Sequence, residues 1–441
     1  MKIMFVSLGC DKNLTDTETM LGLLHKEGYE FTNDETEADI IVVNTCCFIH
    51  DAKKESIDTI LEMAEYKKTG SCQALIVSGC LAQRYKDEIL KEIQEVDVVM
   101  GTTNYDQILS AVTESLKGKR QVMQADLQAL PIVRERRIVT TGGHYAYLKI
   151  AEGCNKHCTY CIIPQIRGEY RSIPMEQLLW EARELADQGV KELILVAQET
   201  TMYGIDLYGE KTLPQLLREL CKINTLQWVR ILYCYPEEIT PELVQVMKEE
   251  KKICHYLDLP IQHANDEILK RMGRKMTKQQ LKDTIYMLRR EIPDICLRTT
   301  LITGFPGETA KQHEEVMTFI DEMEFDRLGV FTYSAEEDTA AARMPDQIEE
   351  EQKEDWQYEL MELQQEISYD KCEEMVGREL LVMVEGRVSG ENAYICRSYR
   401  DAPDVDGYIF VNTDVELMTG DFARVKIIHA LEYDLIGDLI E

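Results

Sequence analysis

The sequence predicts an α/β protein of three domains: an open parallel α/β sheet, a partial (β/α)6-type barrel and a small all-β barrel. Three observations lead to this fold class. Apolar runs alternate with amphipathic helical stretches in the first part of the chain, and the same alternation resumes on a larger scale after a linker. The end of the chain holds only short strands with Gly and Asp turns. The predicted segments are 1–117, a linker at 118–139, 140–370 and 371–441.

Three predicted strands of the N-terminal domain end at a cysteine. KIMFVSLGC ends at Cys10, ADIIVVNTCCF contains Cys46 and ALIVSGC ends at Cys80. The carboxyl ends of parallel strands line one crevice of an open sheet, so these three cysteines can meet there. The alternative is that they are unrelated small core residues. Cys47 and Cys72 lie off this pattern and are interpreted as packing residues.

The central domain is predicted from six apolar strand-like runs separated by helical sequence. The stretch LPIVRERRIVTTGGH (130–144) before it contains a proline, a basic cluster and paired glycines, and we interpret it as a solvated linker. Six βα units are fewer than the eight of a closed barrel, so an open or partial barrel is expected. A long acidic helix is predicted at about 346–375. The six runs are YLKIAEGC, ELILVAQET, WVRILYCYP, YLDLPIQ, CLRTTLITGFPGE and RLGVFTYS.

The C-terminal segment has the size of an OB-like barrel, but it is acidic. From Lys371 onwards it holds 15 acidic and 7 basic residues, a net charge of −8. Barrels that bind nucleic acid normally need a basic face, and this one has little basic charge for that purpose.

Composition limits the partners and the compartment. The formal net charge of −31 disfavours nucleic-acid phosphates and membrane lipids and favours basic partners, although simple solubility would explain it too. No apolar run approaches the roughly 18 residues of a membrane span. We therefore expect a cytoplasmic protein without a membrane or disulfide partner. Its fourteen cysteines then indicate metal sites or reactive thiols.

The stretch GCNKHCTYCIIP carries the strongest chemical signal. Cys154, Cys158 and Cys161 fall within eight residues. A structural zinc needs four ligands, but no second cysteine pair lies at a suitable spacing and His157 is the only nearby histidine. A 4Fe–4S cluster held by three cysteines keeps one iron open, and an open iron can bind a substrate. A zinc half-site is the alternative.

CNKHCTYC resembles the CxxxCx-aromatic-C motif of radical S-adenosylmethionine (SAM) enzymes. The resemblance implies that the open iron chelates the amino and carboxyl groups of SAM, and that the reduced cluster cleaves SAM to methionine and a 5′-deoxyadenosyl radical. It also implies SAM contacts at other strand ends, whose alternative interpretation is turns and packing. The predicted cofactor-binding residues are Tyr160, Gln198, Glu199, Gly304, Pro306, Gly307 and Glu308.

Over nearly its whole length the chain resembles the radical SAM methylthiotransferases. The resemblance implies that Cys10, Cys46 and Cys80 hold a second, auxiliary 4Fe–4S cluster, again with an open iron. It further implies that residues 371–441 form a TRAM domain. One SAM would methylate a sulfide on the auxiliary cluster, a second would supply the radical, and an external reductant protein such as a flavodoxin or ferredoxin would supply electrons.

Within that family, the chain is most similar to the branch that modifies an aspartate β-carbon in ribosomal protein S-twelve. The stretches that carry this similarity are SLGCDKNLTDTE, NTCCFIHDAKKESIDTIL, RILYCYPEEIT, YLDLPIQHANDEILKRMGRKMT and DAPDVDGYIFV. The charge agrees, because an acidic enzyme suits a basic ribosomal protein. Cys47, Asp338 and Cys396 depart from the glycine usual at those positions. The alternatives are a tRNA adenosine methylthiotransferase and a non-catalytic iron–sulfur or zinc RNA-binding protein.

Overall fold

The computed structural model describes residues 1–440, beginning with a six-stranded parallel sheet that carries helices. The strand order is β2-β1-β3-β4-β5-β6. Both β3 and β4 are buried along their whole length, as expected for the centre of a parallel sheet. The elements are β1 (Lys2–Ser7), α1 (Asp11–Lys26), β2 (Glu30–Phe31), β3 (Ile40–Thr45), α2 (His50–Thr69), β4 (Ala74–Gly79), α3 (Cys80–Glu92), β5 (Val98–Met100), α4 (Ile108–Leu116) and β6 (Gln121–Met123).

The linker differs from the solvated segment that its composition suggested. Strand β6 lies within 118–139 and pairs with β5, so it completes the first sheet. Arg137, part of the basic cluster, is buried; it lies 3.5 Å from a carboxylate oxygen of Glu18 and 3.2 Å from one of Glu181. Its guanidinium also donates to the carbonyl of Tyr147. The linker therefore binds the N-terminal domain to the central one.

The central domain is a second six-stranded parallel sheet, and all six predicted strands are present in it. Their order, β7-β10-β11-β12-β13-β14, follows the chain, as in a partial barrel. The elements are β7 (Tyr145–Lys149), β8 (Ala151–Glu152), α5 (Ile163–Arg167), β9 (Arg171–Ser172), α6 (Met175–Asp187), β10 (Glu192–Val196), α7 (Ile205–Tyr208), α8 (Leu213–Cys221), β11 (Trp228–Ile231), α9 (Pro241–Glu249), β12 (Ile253–Asp258), α10 (Asp266–Arg271), α11 (Lys278–Glu291), β13 (Cys296–Thr303), α12 (Ala310–Met323), β14 (Arg327–Thr332) and α13 (Glu350–Glu373).

The C-terminal domain is a closed five-stranded barrel with the order β15-β16-β17-β19-β18. It packs against the central sheet, where Met383 and Ala402 join a cluster with Trp228 and Tyr256. The three-domain α/β fold class is thus confirmed. Among residues 1–440, no helix is both long and apolar enough to cross a membrane. The elements of the barrel are β15 (Glu379–Arg387), β16 (Ala393–Ser398), β17 (Ile409–Asn412), β18 (Phe422–Ala430) and β19 (Leu435–Leu439).

A fully buried ion triad joins the barrel to the central sheet. Glu192 of β10 accepts a hydrogen bond from Arg230 of β11 (2.7 Å) and another from Arg397 of β16 (2.8 Å). All three side chains have an exposure of 0%. Arg397 also pairs with Glu385 of its own barrel (2.7 Å), so the shared Glu192 links an ion pair of the central sheet to one of the barrel.

Replacing Glu192 with alanine is expected to destabilise the protein by about 3–5 kcal/mol, because it leaves the buried Arg230 without a counter-ion and leaves Arg397 with Glu385 alone. Urea unfolding followed by circular dichroism measures the effect. The matched control is Glu362→Ala, which removes an exposed carboxylate of α13 and should change the unfolding free energy by less than about 0.5 kcal/mol. Equal unfolding midpoints for the two variants would contradict the prediction.

Candidate iron–sulfur sites

The central cysteine loop follows the first strand of the barrel and is closed by a short hairpin. Strands β8 and β9 pair around it, and Cys154 donates its backbone N–H to Gly168 (3.2 Å). Gly153 precedes the first cysteine at φ +76°, and a Cβ there would lie 2.1 Å from the carbonyl oxygen of Glu169. Only glycine fits so close an approach of two backbones, so the loop geometry depends on this residue.

The three cysteines of this loop share one buried environment. Cys154 and Cys158 are buried and Cys161 is partly buried. Burial is the main cause that raises the pKa of the Cys154 thiol to about 11 and that of the Cys161 thiol to about 12, with smaller contributions from Glu199 at Cys154 and from the neighbouring cysteines at both. Metal binding must therefore displace protons from these thiols, which a thiophilic cation does readily.

The three strand-end cysteines of the first domain are also brought together. Cys10 caps α1, Cys46 directly follows β3 and Cys80 opens α3. The side chain of Asn13 links the three strand ends: its Nδ2 donates to the carbonyls of Leu8 (3.0 Å) and Thr45 (2.9 Å), and its Oδ1 lies 3.8 Å from the Cys80 sulfur.

Close packing at Gly9 brings the loops of Cys10 and Cys46 into contact. A Cβ on Gly9 would lie 2.6 Å from the Cβ of Cys46 and 2.9 Å from its sulfur. Cys47 and Cys72 lie in the hydrophobic core of the sheet, in the cluster that also contains Cys80. The contact with Gly9 favours Cys46 over Cys47 as the partner of Cys10 in the candidate site.

Neither set of cysteines matches a site for one metal ion. Among residues 1–440, no three His, Cys, Asp or Glu side chains converge on a single ion. A structural zinc needs four ligands, whereas a 4Fe–4S cluster held by three thiolates keeps one iron open, so the donor set of each site suits a cluster.

Unpaired polar atoms lie beside the central cysteines. Glu199 follows β10, is 1% exposed and keeps Oε2 without a hydrogen-bond partner, while its Oε1 accepts from the backbone N–H of Thr201 (3.0 Å). Burial raises the pKa of Glu199 to about 7, although the ammonium of Lys156, at 3.6 Å, opposes the rise. Gln198 has a buried Oε1 with no partner either.

Two further polar residues of this region had not been predicted from the sequence. Tyr235 lies beyond β11, with its hydroxyl 3.7 Å from the Cys158 sulfur. The Arg274 guanidinium stacks 4.2 Å from the Tyr235 ring, and its Nη1 is buried without a partner. Orphaned atoms of both charges suit a small zwitterion, and the amino and carboxyl groups of SAM form one. The position of Tyr235 at a strand end was the available signal.

The GFPGE loop is held together by its own glutamate. Glu308 uses both oxygens within the protein, accepting from the backbone N–H groups of Gly304 (2.7 Å) and Phe305 (3.1 Å) and lying 3.1 Å from the His263 ring. The missing side chain of Gly304 makes room for Lys353, and Gly307 does the same for Arg271. Tyr160 packs beside this loop, against the cluster of Phe305. These contacts give the loop a structural role.

The two cysteine sites lie on either side of one domain interface. Tyr233, just beyond β11 at φ 59°, donates its hydroxyl to Asp11 (3.0 Å), the residue after Cys10. Lys12 lies 3.3 Å from the centre of the Tyr233 ring and 3.1 Å from Asp11. The backbone of Tyr233 is in a conformation that non-glycine residues rarely adopt, and its N–H is held by Asp258 (3.0 Å), which directs the ring toward the N-terminal domain.

Comparisons with known proteins cover all three domains. Family models match at residues 2–101 (uncharacterized protein family UPF0004), 148–320 (radical SAM superfamily) and 376–440 (TRAM domain). Among solved structures, the methyltransferase TsrM from Kitasatospora setae aligns with a TM-score of 0.56 at 15% identity. That alignment covers 75% of this chain and 72% of TsrM, and it shows similarity of fold.

Curated relatives extend the match to the full length. "Ribosomal protein uS12 methylthiotransferase RimO" of Lachnoclostridium phytofermentans is 62% identical over 99% of both chains. The proteins of the same name from Clostridium botulinum (strain Hall) and Clostridium perfringens are 50% and 51% identical, over 99% of this chain and 97% of theirs. With this identity and the radical SAM domain in place, the chain belongs to the RimO family of methylthiotransferases and is a radical SAM enzyme.

Proposed function

We propose that this enzyme transfers a methylthio group to the β-carbon of an aspartate in ribosomal protein uS12, in the cytoplasm, using two 4Fe–4S clusters and two molecules of SAM. The observation that carries the proposal is the pairing of two three-cysteine sites across one interface, joined through Asp11 and Tyr233. Each site offers three thiolates, which leaves one iron of a cluster free for a ligand.

The residues that would hold these groups follow from the site. Cys10, Cys46 and Cys80 would bind the auxiliary cluster, and Cys154, Cys158 and Cys161 the radical cluster. When bound, the clusters and SAM supply the radical that breaks the C–H bond and the methylthio group that replaces the hydrogen. The polar contacts to SAM would come from Gln198, Glu199 and Arg274, with Tyr160, Gly304, Pro306, Gly307 and Glu308 forming the wall beside them.

The chain itself contributes position and exclusion of water. Asn13 fixes the three auxiliary loops relative to one another, and the Tyr233–Asp11 hydrogen bond fixes the N-terminal domain against the barrel. Reacting groups held in this way need not be brought together by diffusion. Burial of the cysteines also keeps water away from the place where a radical would react.

Charge supports a protein substrate. Ribosomal proteins bind RNA phosphates and are therefore basic, whereas the net charge of this enzyme is −31 and its C-terminal barrel is acidic. A tRNA substrate would have to approach the same surface against repulsion. The relatives carry uS12 in their names, which supports the same choice. We propose a flavodoxin- or ferredoxin-type protein as the source of electrons.

The test is an anaerobic competition. The enzyme, reconstituted with iron and sulfide, receives SAM, dithionite, a uS12 peptide that contains the target aspartate and a tRNA anticodon arm, and both are analysed by mass spectrometry. A methylthio gain on the peptide only is expected, and a peptide with Asn in place of the aspartate is the control. A gain on the tRNA arm only would overturn the substrate, and at most four irons per chain without SAM cleavage would favour the non-catalytic binding protein.

A further inference from the structure

Arg167 connects the two cysteine sites through the chain and through space. Helix α5 begins two residues after Cys161 and ends at Arg167, so the arginine belongs to the loop of the central cysteines. Its side chain nevertheless points into the first domain, where it is 1% exposed. A guanidinium carries a fixed positive charge, so it needs compensation in such a buried place.

The guanidinium divides its donors between carboxylates and the auxiliary site. Its Nη1 lies 3.1 Å from Asp16 and 3.1 Å from Glu152. Its Nη2 donates to Asn13 Oδ1 and, at 3.5 Å, to the sulfur of Cys80. The same guanidinium group therefore contacts Cys80, a candidate cluster ligand, and Asn13, which links the three strand ends.

The surrounding charges balance without help from the cysteine. Lys149, which is also buried, forms ion pairs with Asp16 and with Glu152 (2.6 Å). Two cations thus face two carboxylates, a formally neutral set. The contact of Arg167 with Cys80 is additional to this balance, because the two carboxylates already compensate the two cations.

We propose that Arg167 is a positioning residue that holds Cys80 in the auxiliary site and raises the reduction potential of the cluster bound there. The proposal rests on the proposed function, since it needs the auxiliary cluster. Adding one electron increases the negative charge on a cluster and its ligand sulfurs. A cation that donates a hydrogen bond to one of those sulfurs stabilises the reduced form, and burial strengthens this effect.

The experiment isolates the auxiliary cluster in the full-length chain. A parent variant with Cys154, Cys158 and Cys161 all changed to alanine should keep about four irons. Its potential is measured by dithionite titration followed by electron paramagnetic resonance. Adding Glu152→Gln gives the reference, and adding Arg167→Gln together with Glu152→Gln removes the arginine while keeping the buried charges balanced.

At a fixed solution potential, the ratio of reduced to oxidised cluster should fall about tenfold from the reference to the Arg167→Gln/Glu152→Gln variant. For a one-electron couple this corresponds to a reduction potential about 59 mV lower. Arg167→Lys in the parent variant keeps the positive charge but loses the planar guanidinium. It should also lower the reduction potential, by a smaller amount. Arg171→Lys is the control, because Arg171 donates to the backbone of Arg167 and not to a cysteine. It should leave the potential of the parent unchanged.

The outcomes separate this inference from the function on which it rests. A parent variant that binds no iron–sulfur cluster would refute the two-cluster function itself. A parent with about four irons whose potential does not change when Arg167 is replaced would overturn the role of Arg167 alone. If the Gln/Gln variant does not fold, the Arg167→Lys variant decides: a potential equal to that of the parent overturns the proposal.

Discussion

Replacing Cys158 with alanine is expected to abolish SAM cleavage completely. Cys158 is the central cysteine of its loop, is 6% exposed and contacts the hydroxyl of Tyr235. Two thiolates cannot hold a cluster in place of three, so the reductive cleavage of SAM would lose its electron source. Production of 5′-deoxyadenosine, measured by chromatography after addition of SAM and dithionite, should fall to the level without enzyme. Bound iron should fall from about eight to about four per chain.

The matched control for Cys158 is Cys221→Ala. Cys221 ends α8 on the outer side of the barrel and is only partly buried, so its loss removes a thiol without touching either site. This variant should retain its iron and its 5′-deoxyadenosine production. If the Cys158 variant still produces 5′-deoxyadenosine at the rate of the control, then another residue holds the radical cluster.

The elements that the sequence predicted are those whose signals are local. The six barrel strands and the long helix could be found because apolar periodicity is a property of neighbouring residues. Strands β2, β5 and β6 have only two or three residues each, too few for any period to show. The burial of Arg137 could not be seen either, because its partners Glu18 and Glu181 are remote in the chain.

In the candidate site, too, the residues with a local signal could be predicted and those defined by distant contacts could not. The cysteines could be assigned because thiols at strand ends and at CxxxCxxC spacing carry their own chemical meaning. The roles of Arg274 and Arg167 come from contacts between distant segments, and nothing beside these residues in the chain marks them, while Tyr235 is marked only by its position beyond β11. Glu308 shows the opposite difficulty. Its motif predicted a contact with the cofactor, but its carboxylate accepts hydrogen bonds from the backbone of its own loop.

Replacing Cys46 with alanine is expected to separate the two halves of the reaction. Cys46 lies at the end of β3 against Gly9 and does not belong to the central loop, so the radical cluster and SAM cleavage should survive. Methylthio transfer to the uS12 peptide should stop, because the auxiliary site loses one of its three thiolates. The measurement compares 5′-deoxyadenosine with modified peptide in one reaction mixture. The first should be retained and the second absent, with about four irons lost per chain.

Cys47→Ala is the control that makes the Cys46 result specific. The two cysteines are adjacent, but Cys47 is fully buried in the core of the first sheet. Its replacement should cost about 1 kcal/mol of stability and leave both clusters and methylthio transfer intact. The reverse pattern, with transfer lost in the Cys47 variant and kept in the Cys46 variant, would show that Cys47 is the ligand.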